Sequence, residues 1–211
     1  YYNYLMLLQD QYTEEEKLSA LSAITLSDVK AFAQTLYDRV YITGMIHGNW
    51  SDDEARKNVG ILLSALGSKP LPERDRFEQV VEVMPSGERF QFSREVEDNN
   101  NSLAYAIQVG KKDFSILAQS SIIASIVESD FYTQMRTNQQ LGYIVWSFNQ
   151  RIEESIFFRL VIQSSTHGPF EMSKRVTSWL ASTEKLFSDL TDEEFSRHQE
   201  SLIVGLEKEG D

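Results

Sequence analysis

The sequence predicts an α+β fold in which long helices pack on one face of a largely antiparallel sheet. Four segments alternate apolar and polar residues or are rich in β-branched and aromatic residues, as strands are: 89–96, 102–109, 143–148 and 156–163. Two others carry apolar residues at helical spacing, 117–135 and 170–190. The inward side of the second is expected to consist of Val176, Trp179, Leu180, Thr183 and Phe187. Runs of strands followed by long helices favour an α+β domain over a parallel α/β sheet.

The first 67 residues predict the order helix, helix, strand, helix. A capping box at Thr13–Glu16 begins the first helix, and Ser27–Asp28 begins the second, which is expected to reach about residue 39. Val40–His47 is then expected to form a strand. A second capping box, Ser51–Glu54, begins the third helix. One strand is too few to close a sheet of its own.

A proline-rich connector follows at residues 68–86, which contain Pro70, Pro72 and Pro85. Within it, Glu78–Val83 is expected to form a short edge strand. The remaining residues, 87–211, contain the strands and long helices described above, and a third capping box at Thr191–Glu194 begins the last helix.

Composition and charge exclude several classes of protein. The chain has 211 residues, a formal net charge of −12 and no cysteine. The acidic balance argues against nucleic acid or anionic lipid as a partner, and the lack of cysteine excludes disulfides, a thiolate nucleophile and a Cys-zinc site.

No window approaches the roughly 18 consecutive apolar residues of a membrane span. The N-terminus lacks the basic region of a signal peptide, and we expect a fragment at both ends. The compartment, periplasmic or cytoplasmic, is left open.

The histidines and serines predict no complete catalytic centre. His47, His167 and His198 stand in neither an H-E-x-x-H nor an H-x-x-E-H motif. Glu194 lies one helical turn before His198, but with no second histidine on that helix a structural role is favoured over metal binding. The sequence contains no G-x-S-x-G elbow, phosphate-binding loop or dinucleotide fingerprint. No metal site is therefore predicted within this chain.

The segment from Arg136 to Tyr143 is the strongest candidate site. It joins the predicted helix to the predicted strand at 143–148, and Gly142 stands where a chain leaving a helix often needs a positive φ. A guanidinium and a phenol at a rigid corner are suited to grip peptide carbonyls or an oxyanion. The alternative is that Arg136 caps its helix and Tyr143 packs in the sheet.

This motif and three others resemble the insulinase (M16) family, the pitrilysin and insulin-degrading-enzyme type of zinc metallopeptidase. The resemblance rests on residues 131–145, which contain Arg-Thr-x-x-Gln-Leu-Gly-Tyr, and on three shorter pieces: Met45–Trp50, Leu160–Ser164 and Leu190–Phe195. It covers nearly the whole chain and implies an insulinase or mitochondrial-processing-peptidase-like fold. By this resemblance, residues 1–67 would be the tail of a preceding third-domain-like α+β domain and 68–86 a linker. Residues 87–211 would be a fourth-domain-like, non-catalytic α+β domain truncated at its C-terminus.

The resemblance also implies a role for the candidate site. Enzymes of this family enclose peptides between two halves, of which the N-terminal half carries an H-x-x-E-H zinc site. The C-terminal half completes the cleft, so Arg136 and Tyr143 are expected to bind substrate main chain or the tetrahedral intermediate. Peptide substrates, the catalytic N-terminal half of the same protein and zinc bound outside this chain are the implied partners and cofactor.

Three functional hypotheses are compatible with the sequence. The first is the substrate-enclosing part of a zinc metalloendopeptidase, in which case this chain alone is expected to bind no zinc and to cleave no peptide. The second is a catalytically inactive binding or assembly module, or a partner subunit, of the same family. The third is an interaction domain whose Arg-to-Tyr motif is structural. We also expect the isolated chain to self-associate through exposed apolar surface.

Overall fold

The computed structural model describes residues 2–209, and it divides the chain into two compact units. One unit contains residues 8–79, and the other joins the N-terminal residues up to Leu7 to the chain from Val80 onward. Within the described residues, no helix combines the length and the apolar character needed to cross a membrane.

The unit of residues 8–79 contains three helices, α2 Glu14–Ala23, α3 Leu26–Thr35 and α4 Asp52–Leu66. Each begins with a capping box, in which a Thr or Ser hydroxyl accepts from the third helical N–H while the Glu or Asp at that position accepts from the cap N–H. The helix predicted from Ser27 begins instead at Leu26, capped by Thr25, and ends at Thr35. A short 3₁₀ turn lies at Glu73–Asp75.

The strand predicted at Val40–His47 is wrong. Only β1 Arg39–Val40 is paired, in parallel with β2 Lys69–Pro70. The ladder bonds run from Lys69 N to Asp38 O and from Leu71 N to Val40 O, both at 2.9 Å. Pro70, which has no N–H, lies between these two donors, where an N–H would point away from β1.

The larger unit begins with the short helix α1 Tyr2–Leu7 and is built on a three-stranded antiparallel sheet. Its strands are β3 Asn101–Lys111, β4 Ile144–Ile152 and β5 Ser155–Ser164, in the spatial order β3-β5-β4. β4 and β5 form a hairpin whose ladder extends to the pair Ile152–Ser155. The strands expected at 102–109, 143–148 and 156–163 are thus confirmed, with boundaries shifted by a few residues.

Two other expected strands are wrong. Residues 89–96 are not in a strand, and Glu78–Val83 contains only an isolated bridge residue, Val81. The alternating pattern at 89–96 needs a sheet on which to bury its apolar side, and Phe90 and Phe92 are both exposed. No strand pairs with the outer edge of β3 among the described residues. The segment before β3 is instead joined to it through a side chain, since Oε1 of Gln108 accepts a hydrogen bond from Met84 N at 2.8 Å.

Helices cover one face of this sheet, as the α+β prediction requires. α5 Phe114–Tyr132 continues into a π-helical segment, Thr133–Asn138; α6 is Pro169–Ser188, and α7 is Asp192–Glu209. The buried core is shared by helices and sheet: Val127, Phe131, Met135, Leu141, Val145, Phe158, Leu160, Ile162, Met172, Val176 and Trp179. The indole N–H of Trp179 donates to Asp130 at 2.7 Å, which fixes α6 against α5.

The buried side of α6 differs from the prediction at its C-terminal end. Val176 and Trp179 are buried as expected, but Phe187 is 37% exposed. The buried stripe continues at helical spacing to Leu186, one residue earlier, which packs against the core. The sequence pattern therefore identified the helix but assigned the end of its apolar stripe to the wrong residue.

Candidate active-site corner

A widened helical turn forms the corner between α5 and β4. The six residues Thr133–Asn138 are π-helical, and the turn ends with bonds from Gln139 N to Gln134 O at 3.1 Å and from Leu141 N to Met135 O at 2.9 Å. Met135 and Leu141 are both fully buried, so the corner is anchored on either side of its exposed part. π-helical turns are rare in proteins, and those that do occur are often found at functional sites.

Gly142 is required at this corner, but not for the reason that the sequence suggested. The residue with a positive φ at this corner is Gln140, at 50°, whereas the φ of Gly142 is not positive. A Cβ at position 142 would lie 1.9 Å from the carbonyl oxygen of Gln163. Glycine is needed because the backbone here approaches β5 more closely than any side chain allows.

The structure brings Arg136 and Tyr143 together. Nη1 of Arg136 donates a hydrogen bond to the main-chain carbonyl of Tyr143. Its Cζ lies 4.8 Å from the centroid of the Tyr143 ring and 5.7 Å from that of Tyr132. These are distances at which a guanidinium is attracted to an aromatic face.

The Tyr143 side chain is 83% exposed, so it does not pack in the sheet. Arg136 is half-buried, and its bond to Tyr143 fixes the position of the guanidinium. One guanidinium nitrogen is used in this bond, and other N–H groups of the arginine remain as donors. The corner therefore places a cation and a phenol side by side at the surface.

A groove of about 610 Å³ lies next to this corner, between α5 and the edge strand β4. Its walls are Ser125, Glu128, Ser129 and Tyr132 from α5, and Val145, Trp146, Ser147 and Phe148 from β4. Tyr132 belongs both to the groove and to the aromatic surroundings of Arg136. The groove could not be predicted from the sequence because it depends on which strand edge lies beside α5.

The histidines take structural or exposed positions. His198 Nδ1 lies 2.9 Å from the Ser125 hydroxyl, which ties α7 to α5, and His167 Nδ1 lies 2.9 Å from the Thr166 hydroxyl. His47 is exposed and lies outside any strand. In the part of the chain that the structure describes, no three His, Cys, Asp or Glu side chains are grouped as metal ligands would be.

Glu194 is committed to its helix cap. Its carboxylate accepts from the Thr191 N–H at 3.0 Å and from the Thr191 hydroxyl at 2.8 Å. These hydrogen bonds, first the backbone one and then the side-chain one, lower the pKa of Glu194 below its ordinary value. The carboxylate is therefore a structural group of α7 rather than the partner of His198 in a metal site.

Known proteins match most of this chain. Residues 122–211 match the family described as "PQQ synthase PqqF-like, C-terminal lobe domain 4". Insulin-degrading enzyme-like 2 of Arabidopsis thaliana is 33% identical over 216 residues, which are 97% of this chain and 22% of that protein. Insulin-degrading enzyme of Homo sapiens is 28% identical over 214 residues, 97% of this chain and 20% of that protein.

A solved structure confirms the fold. The crystal structure of pitrilysin superposes with a TM-score of 0.76 at 24% sequence identity, over 93% of this chain and 21% of that one. The chain spans about a fifth of the length of the relatives that it matches. The matched sequences relate this chain to the insulinase (M16) family, with residues 122–211 matching domain 4 of a C-terminal lobe, and the pitrilysin structure shows the same α+β fold.

Proposed function

We propose that this chain is the substrate-enclosing, non-zinc-binding C-terminal part of a zinc metalloendopeptidase that hydrolyses peptides in a closed chamber. The observation that carries the proposal is the contact between Arg136 and the main chain of Tyr143 at an exposed corner. Similarity to a family that includes insulin-degrading enzyme supports the peptide as substrate. In the domain arrangement that goes with this proposal, residues 1–67 are the tail of a preceding domain and residues 68–86 are a linker. Residues 87–211 are a fourth-domain-like, non-catalytic domain truncated at its C-terminus.

Arg136 and Tyr143 are suited to stabilise negative charge on a peptide oxygen. The exposed phenol donates one hydrogen bond, and the guanidinium donates others while its bond to the Tyr143 carbonyl limits its motion. Donors held in place before the reaction need little reorganisation when charge develops, and losing one such donor typically lowers the rate by about 10²–10³. In this role both residues contact the substrate main chain rather than its side chains.

Among the described residues, no three His, Cys, Asp or Glu side chains are grouped as a metal site requires. The family resemblance supports zinc ligands outside this chain, in the N-terminal half of the same protein. In this proposal, the residues of this chain bind, orient and enclose the peptide.

The test is Tyr143→Phe in the full-length protein. This change removes one exposed hydroxyl and leaves the ring that contacts Arg136, so we expect kcat/KM for peptide hydrolysis to fall at least about ten-fold with an unchanged melting temperature. Tyr37→Phe, at another exposed tyrosine, serves as the control. Wild-type kinetics in Tyr143→Phe would show that the hydroxyl has no such role.

Two further measurements separate this proposal from the alternative of an inactive binding or assembly module. Chelator-sensitive peptide hydrolysis by the full-length protein supports the endopeptidase, and its complete absence supports the module. Elemental analysis of the 211-residue chain should find no stoichiometric zinc. One tightly held zinc per chain would contradict the assignment of the metal to another part of the protein.

A further inference from the structure

Arg159 is a buried cation that the proposed function does not use. It lies on the central strand β5, where Phe158, Leu160 and Ile162 face the helical core. Because side chains alternate along a strand, Arg159 lies on the opposite face of the sheet. It is 5% exposed, and neither Nε nor Nη1 has a hydrogen-bond partner among the described residues.

An unpaired buried charge is costly, and such groups are ordinarily paired with an acceptor. Desolvation lowers the pKa of Arg159, and the electrostatic influence of Tyr4 partly opposes this. Arginine nevertheless stays protonated in proteins, so the positive charge remains. The Tyr4 hydroxyl accepts a hydrogen bond from Gln150 at 3.0 Å, and no carboxylate of the described residues forms an ion pair with Arg159.

The surface around Arg159 is apolar and partly open. Its direct cross-strand neighbours are Phe148 on β4 and Ala106 on β3, and the next pair along the ladder is Trp146 with Val161. Trp146 is 57% exposed, and Phe148 is 37% exposed. A cation for which the described residues provide no counter-ion thus lies beside two accessible aromatic rings.

We propose that this sheet face binds the C-terminal carboxylate of a peptide, with Arg159 as its counter-ion and with Trp146 and Phe148 contacting the last apolar side chain. A C-terminal residue carries its carboxylate and its side chain on one Cα, and diagonal neighbours such as Arg159 and Trp146 are only about 7–8 Å apart. An internal acidic residue would bring the charge without the adjacent apolar group. The flexible arginine stem allows the guanidinium to turn toward the open part of the face.

The inference rests on the proposed peptide-handling function but not on the Arg136–Tyr143 corner. The experiment measures the affinity of the 211-residue chain for a labelled, N-acetylated pentapeptide ending in leucine, as the free acid and as the C-terminal amide. We expect the acid to bind about ten-fold more tightly, because a charge-assisted hydrogen bond is lost in the amide. Arg159→Met should abolish this preference, whereas Arg151→Met, at an exposed arginine of β4, should keep it.

Thermal unfolding gives a second readout. Since methionine replaces an unpaired buried charge with an apolar chain, Arg159→Met should melt at the same temperature as the wild type or higher. A clear loss of stability would show that the charge is already compensated within the protein, and equal affinity for acid and amide would overturn the proposal directly. An amidated peptide with an internal aspartate that bound as tightly as the free acid would refute the C-terminal assignment.

Failure of this inference can be distinguished from failure of the proposed function. Tyr143→Phe should leave the preference for acid over amide unchanged, because Tyr143 precedes β4 and is five residues away along the chain from Phe148, which pairs with Arg159. If Tyr143→Phe removed the preference, the carboxylate would bind at the Arg136–Tyr143 corner instead of the sheet face.

Discussion

Alanine at position 142 would place a methyl group against a backbone that has little room to move. The added Cβ would lie 1.9 Å from the Gln163 carbonyl oxygen and 2.8 Å from its carbonyl carbon. Since both atoms belong to the central strand β5, no flexible side chain can absorb the overlap. Overpacking of this kind typically costs about 1–3 kcal/mol, and we expect the upper end of that range.

A smaller effect opposes this cost. Replacing glycine reduces the conformational freedom of the unfolded chain, which stabilises the native state by about 0.4–1 kcal/mol. The net destabilisation of Gly142→Ala is then about 2 kcal/mol, which for a chain of this size lowers the melting temperature by roughly 4–8 °C. The displacement would also move the Tyr143 carbonyl, which accepts the hydrogen bond from Arg136.

The assay is thermal unfolding followed by circular dichroism, with the same substitution at a second glycine as the control. Gly205 lies inside α7 with nothing within 4 Å of an added Cβ, so Gly205→Ala should stabilise by about 0.5–1 kcal/mol. The two variants should therefore shift the melting temperature in opposite directions. If Gly142→Ala melted within 1 °C of the wild type, the close approach to Gln163 would be refuted as the reason for glycine.

Two further predictions concern the core and the helix caps. Trp179→Phe leaves the half-buried Asp130 carboxylate without its indole donor and should cost about 1–3 kcal/mol in urea unfolding, whereas Trp146→Phe, at an exposed position, should cost much less. The capping carboxylate of Glu194 has a pKa lowered from its ordinary 4.5, so its stabilisation is present above that value and is lost as the pH falls through the lower folded-state pKa. Glu194→Gln should therefore reduce the stability measured at pH 7 more than that measured at pH 3. Glu193→Gln serves as the control, because it removes a charge outside the capping box. The stability that this variant loses between pH 7 and pH 3 should be closer to the loss seen in the wild type.

Features that local interactions control could be predicted from the sequence alone. Capping boxes depend on side chains three residues apart, and for this reason Thr13, Ser51 and Thr191 each predicted a helix start that the structure confirms. The β4–β5 hairpin was predictable because its two strands are neighbours along the chain. The motif from Arg136 to Tyr143 likewise indicated the family, while the role of these two residues stays a prediction.

Features that depend on partners distant in sequence could be seen only in the folded chain. Residues 40–47 and 89–96 have strand-like patterns but form no strand beyond Val40, because a strand requires a neighbouring edge that the local pattern does not specify. The reason for glycine at position 142 became visible only when β5 was found against it. The position of Arg159 also emerged only from the fold, since its burial and the lack of an acceptor for Nε and Nη1 among the described residues depend on the surrounding sheet rather than on the local sequence.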